Sequence, residues 1–295
     1  MSEPTDVIGP TSSFFVSQRL RLHYVDWGNE AAPTVILVHG GKDHARSWDH
    51  VARALRHDHR VIAPDLRGHG DSAWALGGTY AIWDFVLDLA QLVEALGGEP
   101  VTLVGHSLGG AVTLHYAGTF PDRVSKLVAI EGMGPPPQMQ EQLEKTPAHE
   151  RLRSWVESMQ ALAGRTPRRY ASAEEAAARM QEANPHLSGE QARHLTVHGV
   201  ARNEDGTFSW KFDNYVRAFA PARFRAEDTR GLWSRIACPV LLMRGTESWA
   251  RDPEEDGRMA AFRDARLVNI EGAGHWVHHD QLGRFLSHVE PFLGT

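Results

Sequence analysis

Short apolar runs alternate along this chain with longer stretches in which apolar residues recur every three or four positions. The runs at 34–38, 61–63, 101–104, 126–130, 239–243 and 266–270 are mostly apolar, as expected of strands covered on both faces of a sheet. Between them, 80–96, 108–120 and 278–293 carry the helical period. In the first of these, Ile82, Phe85, Val86, Leu89, Leu92 and Val93 repeat at helical spacing. Strands alternating with helices predict an α/β chain, with a mainly parallel sheet and helices on both faces. The opening pair, 14–18 and 20–27, predicts an antiparallel start.

The rhythm breaks after Gly134. Pro135-Pro136-Pro137 cannot continue a helix or a central strand. From 138 to about 230 the chain is richer in Glu, Arg, Gln and Ala, and strands are scarce. Helices are expected near 151–163 and 173–182. Asn203-Glu204-Asp205-Gly206 reads as a tight turn, with 207–212 extended after it. The strand rhythm returns at Pro239. The expected organisation is a core over 1–137, a helical, lid-like insertion over 138–230, and the rest of the core over 231–295. Trp155, Trp210, Phe212 and Tyr215 either line an apolar pocket or form the core of the insertion itself.

The 295 residues, 42% of them hydrophobic, suffice for a large core. The net charge is −6, and no basic block or stripe suggests a nucleic-acid partner. Cys238 is the only cysteine, so no internal disulfide can form, and a reducing compartment is the simpler home. Met1-Ser2-Glu3-Pro4-Thr5-Asp6 has neither a basic start nor an apolar run, which argues against a secretory signal. No apolar stretch approaches the ~18 residues needed to span a bilayer. The expectation is a soluble, cytoplasmic protein that binds no membrane. Oligomeric state is not legible.

Chemistry concentrates at Ser107. The strand-like 101–104 runs into Gly105-His106-Ser107-Leu108-Gly109, and a helical segment follows. This is the sequence form of a nucleophile elbow, a turn so tight that its neighbours must lack bulky side chains. A hydroxyl is a weak nucleophile, so it needs a base, and the base needs an orienting acid. His275, in Glu271-Gly272-Ala273-Gly274-His275 after the last strand run, is the expected base. For the acid, the usual Gly-x-x-Asp after 239–243 reads Gly245-Thr246-Glu247-Ser248 here. Glu247 falls one residue early and Asp252 a few residues late. Glu131 ends the strand expected beside that of Ser107, because consecutive units usually neighbour in such sheets. Glu131 is therefore the preferred acid, with Asp252 and Glu247 as alternatives.

An oxyanion hole needs two N–H groups aimed at the developing charge. Leu108, just after the nucleophile, and Gly41, in His39-Gly40-Gly41 after 34–38, are the expected donors. In the dense motif 65–72, Asp65, Arg67 and Asp71 are expected to hold a buried loop in shape rather than to bind substrate. Among 17 histidines, His275, His278 and His279 cluster, as do His57 and His59. No HExxH or Cys/His pattern accompanies them, so no catalytic metal is expected. Nor is a nucleotide or other cofactor expected, because the glycines at 105–110 lack the Lys-Ser/Thr of a phosphate loop.

Taken together, His39-Gly40-Gly41, the 65–72 loop, the 105–110 elbow and Gly274-His275 resemble the α/β-hydrolase superfamily. The resemblance covers the chain from about Leu20 to Phe120 and again from Pro239 onward. It implies an eight-stranded sheet with strand 2 antiparallel and a cap inserted after strand 6, here 138–230. Some members, including a subgroup of haloalkane dehalogenases, resemble this chain in placing a Glu after strand 6, where Glu131 stands. Dehalogenases attack with an aspartate, however, and this chain has Ser107. The stretches 131–136 and 244–249 also resemble a serine-hydrolase-like subgroup. The resemblance implies a serine-hydrolase mechanism and names no substrate; from the residues themselves the expected reaction is cleavage of a small or medium carboxylic ester or lactone with an apolar part. The same triad on an activated C–C or amide bond, and a non-catalytic ligand-binding protein on this fold, are the alternatives.

Overall fold

The structure, a computed structural model, describes residues 9–218 and 220–294. The strands are β1 (Thr11–Ser17), β2 (Leu20–Asp26), β3 (Thr34–Val38), β4 (Arg60–Pro64), β5 (Val101–His106), β6 (Val124–Ile130), β7 (Val200–Arg202), β8 (Phe208–Trp210), β9 (Val240–Gly245) and β10 (Ala265–Ile270). The α-helices are α1 (Asp49–Leu55), α2 (Ile82–Ala95), α3 (Leu108–Thr119), α4 (Pro137–Lys145), α5 (Ala148–Ala163), α6 (Ala173–Ala183), α7 (Gly189–Gly199), α8 (Ala226–Trp233), α9 (Val277–Asp280) and α10 (Leu282–Leu293).

Eight strands form one sheet in the order β1-β2-β4-β3-β5-β6-β9-β10. β2 is antiparallel to both of its neighbours, and every other pairing in the sheet is parallel. Successive side chains of a strand point to opposite faces. Val35 and Leu37 therefore join Trp48, Leu55 and Phe285 in one apolar layer under α1 and α10. Ile36 and Val38 join Phe85, Leu92 and Leu114 in the other, under α2 and α3. Covering on both faces is why these strands read as unbroken apolar runs.

The edges differ from expectation where polar or local chemistry decides. β1 starts at Thr11, three residues before the predicted 14–18, because an edge strand pairs through its backbone and tolerates the polar Ser12 and Ser13. The single helix predicted over 278–293 is two, α9 and α10. Gln281 leaves helical geometry between them (φ −136°, ψ 54°), and its side-chain amide donates to the Gly272 carbonyl at 3.0 Å. Pro137 does not only stop the preceding segment. It opens α4, where a first-turn proline loses no hydrogen bond. α1, α4, α7 and α8 are short or weakly patterned and were not predicted. The turn at 203–206 joins β7 to β8 as a small antiparallel hairpin.

Between β6 and β9 the chain leaves the sheet through α4–α8 and this hairpin, and it is fastened over the carboxyl ends of the sheet strands. His44 Nε2, in the loop after β3, donates to the Leu195 carbonyl of α7 at 2.8 Å. Tyr80 Oη donates to Asp213 Oδ2 at 2.6 Å, and Lys211 Nζ reaches Asp71 at 2.9 Å. Gln191 Nε2 donates to the His279 carbonyl at 2.8 Å. The aromatic quartet divides: Trp210 packs edge-on against Tyr170 in a small core of the insertion, whereas Trp155 and Tyr215 line a hollow with Tyr80 and Met159. Phe212 bridges to His69 of the core. Among the described residues no helix is long and apolar enough to cross a membrane. Met1–Asp6 lies outside the described residues.

Candidate active site

β5 delivers Ser107 into the left-handed region (φ 52°, ψ −113°), and α3 starts at the next residue. A β-carbon on Gly105 would stand 2.5 Å from the Gly109 carbonyl oxygen, and one on Gly109 would stand 2.2 Å from that of Val38. Only glycine lets the turn close this tightly. Holding a non-glycine residue in such a conformation costs on the order of 1–3 kcal/mol, which the packed sheet around it supplies. The Ser107 N–H donates to the Ile130 carbonyl at 2.8 Å, tying the elbow to β6.

β6 ends in the same way. Glu131 is the residue after it, also with a φ of 52°, and its N–H donates to the Met243 carbonyl at 2.9 Å. Its side chain is fully buried, and three donors surround the carboxylate. The Gly245 N–H reaches Oε1 at 2.9 Å. The Ser248 hydroxyl and the His275 Nδ1–H, the latter at 2.8 Å, share Oε2. A buried carboxylate is tolerated when its lone pairs are filled in this way. With its proton on Nδ1, His275 presents Nε2 as the basic nitrogen.

The loop carrying His275 is held from below. Buried His106 donates from Nε2 to the His275 carbonyl at 2.9 Å. Burial, with His275 beside it, keeps the His106 imidazole well below its ordinary pKa and so neutral. The Trp249 indole stands 4.9 Å from the His275 ring and is 77% exposed, so it forms an apolar surface at the mouth of the site. Ser107 Oγ and His275 make no direct hydrogen bond, a contact that in free enzymes often tightens only with substrate bound.

The loop after β3 lies against the elbow: a β-carbon on Gly40 would be 3.3 Å from Ser107 Cβ. His39 fixes the peptide there. Its Nε2 accepts from the Leu66 N–H at 3.0 Å, and its Nδ1–H donates to the Gly40 carbonyl at 2.6 Å. Burial lowers the His39 pKa to about 3, so this neutral tautomer persists. In a trans peptide C=O and N–H point in opposite directions. Anchoring the Gly40 carbonyl therefore turns the Gly41 N–H the other way, and among the described residues that N–H has no acceptor. Leu108 is the first residue of α3, so its N–H lacks an intrahelical partner and lies at the positive end of the helix.

The alternative acids are elsewhere. Asp252 accepts from Asn269 Nδ2 at 3.0 Å and from the Glu254 N–H at 2.9 Å. Glu247 is mostly exposed and lies 3.7 Å from His186. In the 65–72 loop, Asp65 accepts from the N–H groups of Ala45 and Asp71 and from His23, and Arg67 pairs with Asp88 at 2.6 Å. These groups shape the loop. His278 and His279 are buried with their rings 4.2 Å apart, and burial keeps both neutral. The contribution sequence reasoning missed is that of Ser248. The signal was its place in the expected aspartate position, where it now donates to the carboxylate that came from β6.

Residues 33–282 match the family described as alpha/beta hydrolase fold. The chain is 30% identical over 301 residues to an esterase of Mycobacterium tuberculosis, Rv0045c, covering 100% of this chain and 93% of that protein. The crystal structure of that novel esterase aligns with a TM-score of 0.75 at 26% identity, covering 98% of this chain and 93% of the other. A hypothetical protein of Pseudomonas aeruginosa gives a TM-score of 0.83 at 25% identity, covering 96% and 99%. With its sheet order, its elbow and a match that spans Ser107, Glu131 and His275, the chain belongs to the α/β-hydrolase fold family.

Proposed function

We propose that this hydrolase cleaves a small or medium carboxylic ester or lactone through a Ser107-His275-Glu131 triad and an acyl-enzyme. The observation that carries the reading is the buried Glu131 carboxylate at 2.8 Å from His275 Nδ1, on the strand next to the one that ends at Ser107. The likeness to an esterase over the whole chain agrees with a carboxylic ester hydrolase.

In this mechanism His275 Nε2 takes the Ser107 proton as Oγ attacks the substrate carbonyl carbon. The carbonyl oxygen becomes an oxyanion between the Gly41 and Leu108 N–H groups, both free to donate. The Glu131 carboxylate stabilises the imidazolium that forms. Collapse of the tetrahedral intermediate breaks the bond to the leaving alkoxide, which receives the proton from His275. A water, deprotonated by His275, then attacks the acyl carbonyl and releases the acid and Ser107. The segment 138–230 acts as a cap domain. It is fastened over the strand ends where these residues meet, and with exposed Trp249 it favours a substrate with an apolar part.

p-Nitrophenyl esters of rising chain length test this directly. The wild type should turn over short and medium chains, and Ser107→Ala should lose on the order of 10⁶ of kcat. A fluorophosphonate should label Ser107 in the folded protein. Ester turnover that survives Ser107→Ala, or folded protein that resists labelling, would overturn the mechanism.

A further inference from the structure

Away from the elbow, three metal-ligating side chains meet where α7 crosses the start of α1. Asp49, His194 and His198 bring one ligand atom each within 4.8 Å of one another. His194 and His198 are four residues apart on α7, which puts both imidazoles on one helix face, with ring centroids 4.8 Å apart. Asp49 opens α1 and points its fully buried carboxylate at them, with Oδ2 3.2 Å from His194 Nε2. Both histidines are only part-buried, so the face opens to solvent.

We propose that Asp49, His194 and His198 form a binding site for a divalent transition metal such as Zn²⁺, which clips the insertion to the core. Two imidazoles and a carboxylate are a zinc-type donor set, and a hard cation such as Mg²⁺ is poorly served by it. Zinc bonds of about 2.0–2.2 Å require the ligand atoms to close to roughly 3.4 Å, a change that side-chain torsions on the two helices can supply.

Metal-free, the Asp49 charge is balanced by Arg46, whose Nε and guanidinium NH₂ reach both carboxylate oxygens at 2.6–2.9 Å. The Arg46 side chain is 27% exposed and can swing into water, so metal binding exchanges one cation for another at the same carboxylate. His194 gives up its Nε2 proton to the other ring nitrogen and ligates through Nε2. Water fills the remaining metal positions.

The clip has a defined mechanical effect. Asp49 follows the 3₁₀ turn Ala45–Trp48, which follows the loop carrying Gly41, and α7 already touches that loop through His44. An occupied site therefore fixes α7 against the segment that leads from β3 into α1.

Calorimetric titration of the full chain with ZnCl₂, after chelator treatment, tests the site. One zinc per chain should bind, MgCl₂ should not compete, and Zn²⁺ at about a hundred times its Kd should raise the Tm by about 5 °C. His194→Ala and His198→Ala should each weaken zinc binding at least tenfold and abolish the Tm shift while leaving the metal-free Tm within about 2 °C. His288→Ala, on the exposed side of α10, should bind as the wild type does and so accounts for adventitious histidine binding. Arg46→Met should tighten binding severalfold by removing the competing cation. No zinc uptake by the wild type, or binding unchanged in both α7 variants, would overturn the proposal.

Discussion

Replacing Glu131 by glutamine keeps the shape of the side chain and removes its charge and one of its acceptors. Three donors converge on this carboxylate: the Gly245 N–H, the Ser248 hydroxyl and the His275 Nδ1–H. An amide has one oxygen. If that oxygen keeps Gly245, the NH₂ faces two donors, and His275 must turn to the tautomer with its proton on Nε2, where it can no longer take the Ser107 proton. The lost charge adds to this. Two unit charges at the observed 2.8 Å attract by about 6 kcal/mol at an effective dielectric of roughly 20. The His275 side chain is 23% exposed, and discounting by about a quarter for solvent leaves roughly 4–5 kcal/mol. At about 1.4 kcal/mol per decade, kcat should fall about 10³–10⁴-fold. The assay is steady-state hydrolysis of p-nitrophenyl butyrate, with urea unfolding to verify that the variant remains folded. Asp252→Asn, which alters a carboxylate held by the Glu254 N–H, Asn269 and, at 3.9 Å, Arg244, none of them in the triad, should change kcat less than about threefold. A Glu131→Gln enzyme within tenfold of the wild type would refute the reasoning. A thousandfold loss in Asp252→Asn would move the acid to the loop after β9.

Ser248→Ala removes one donor from Glu131 and should cost about tenfold in kcat with little change in KM, since a hydrogen bond to a charged group contributes about 1.5–3 kcal/mol and part of it is lost in both ground and transition states; an unchanged kcat would make Ser248 a bystander. Gly109→Ala forces a β-carbon to 2.2 Å from a backbone oxygen and should lower the unfolding free energy by about 3 kcal/mol or more, read from urea midpoints. Stability should also fall in acid. His39, His69, His106, His278 and His279 are buried, and burial lowers the pKa of each, to about 3 for His39 and His279 and about 4 for His69. The unfolded chain protonates these rings near pH 6.5 and the folded chain does not. Their contribution is complete above about pH 6.5 and is lost progressively below it, towards the folded-state values. Urea midpoints should therefore drop from pH 7.5 to pH 5, with Asp43 and Asp88, whose carboxyls burial pushes up, opposing the trend at the acid end. Midpoints that hold level over that range would contradict it.

The parts of this protein legible in the sequence are those that local chemistry dictates. Apolar runs covered on both faces marked the central strands, because a buried parallel strand has no polar side to show. Gly105 and Gly109 marked the elbow around Ser107, because no other residue at those two positions leaves room for the turn to close. Edge strand β1, the short helices and the break at Gln281 were not legible, since backbone pairing and single side-chain bonds decide them. The preference for Glu131 followed from strand order. What holds its carboxylate did not, because Gly245 and Ser248 lie more than a hundred positions away and reach it only once β6 and β9 pair. The meeting of Asp49 with His194 and His198 has the same origin. Sequence patterns report what a segment needs from its neighbours, and only packing decides which distant segment supplies it.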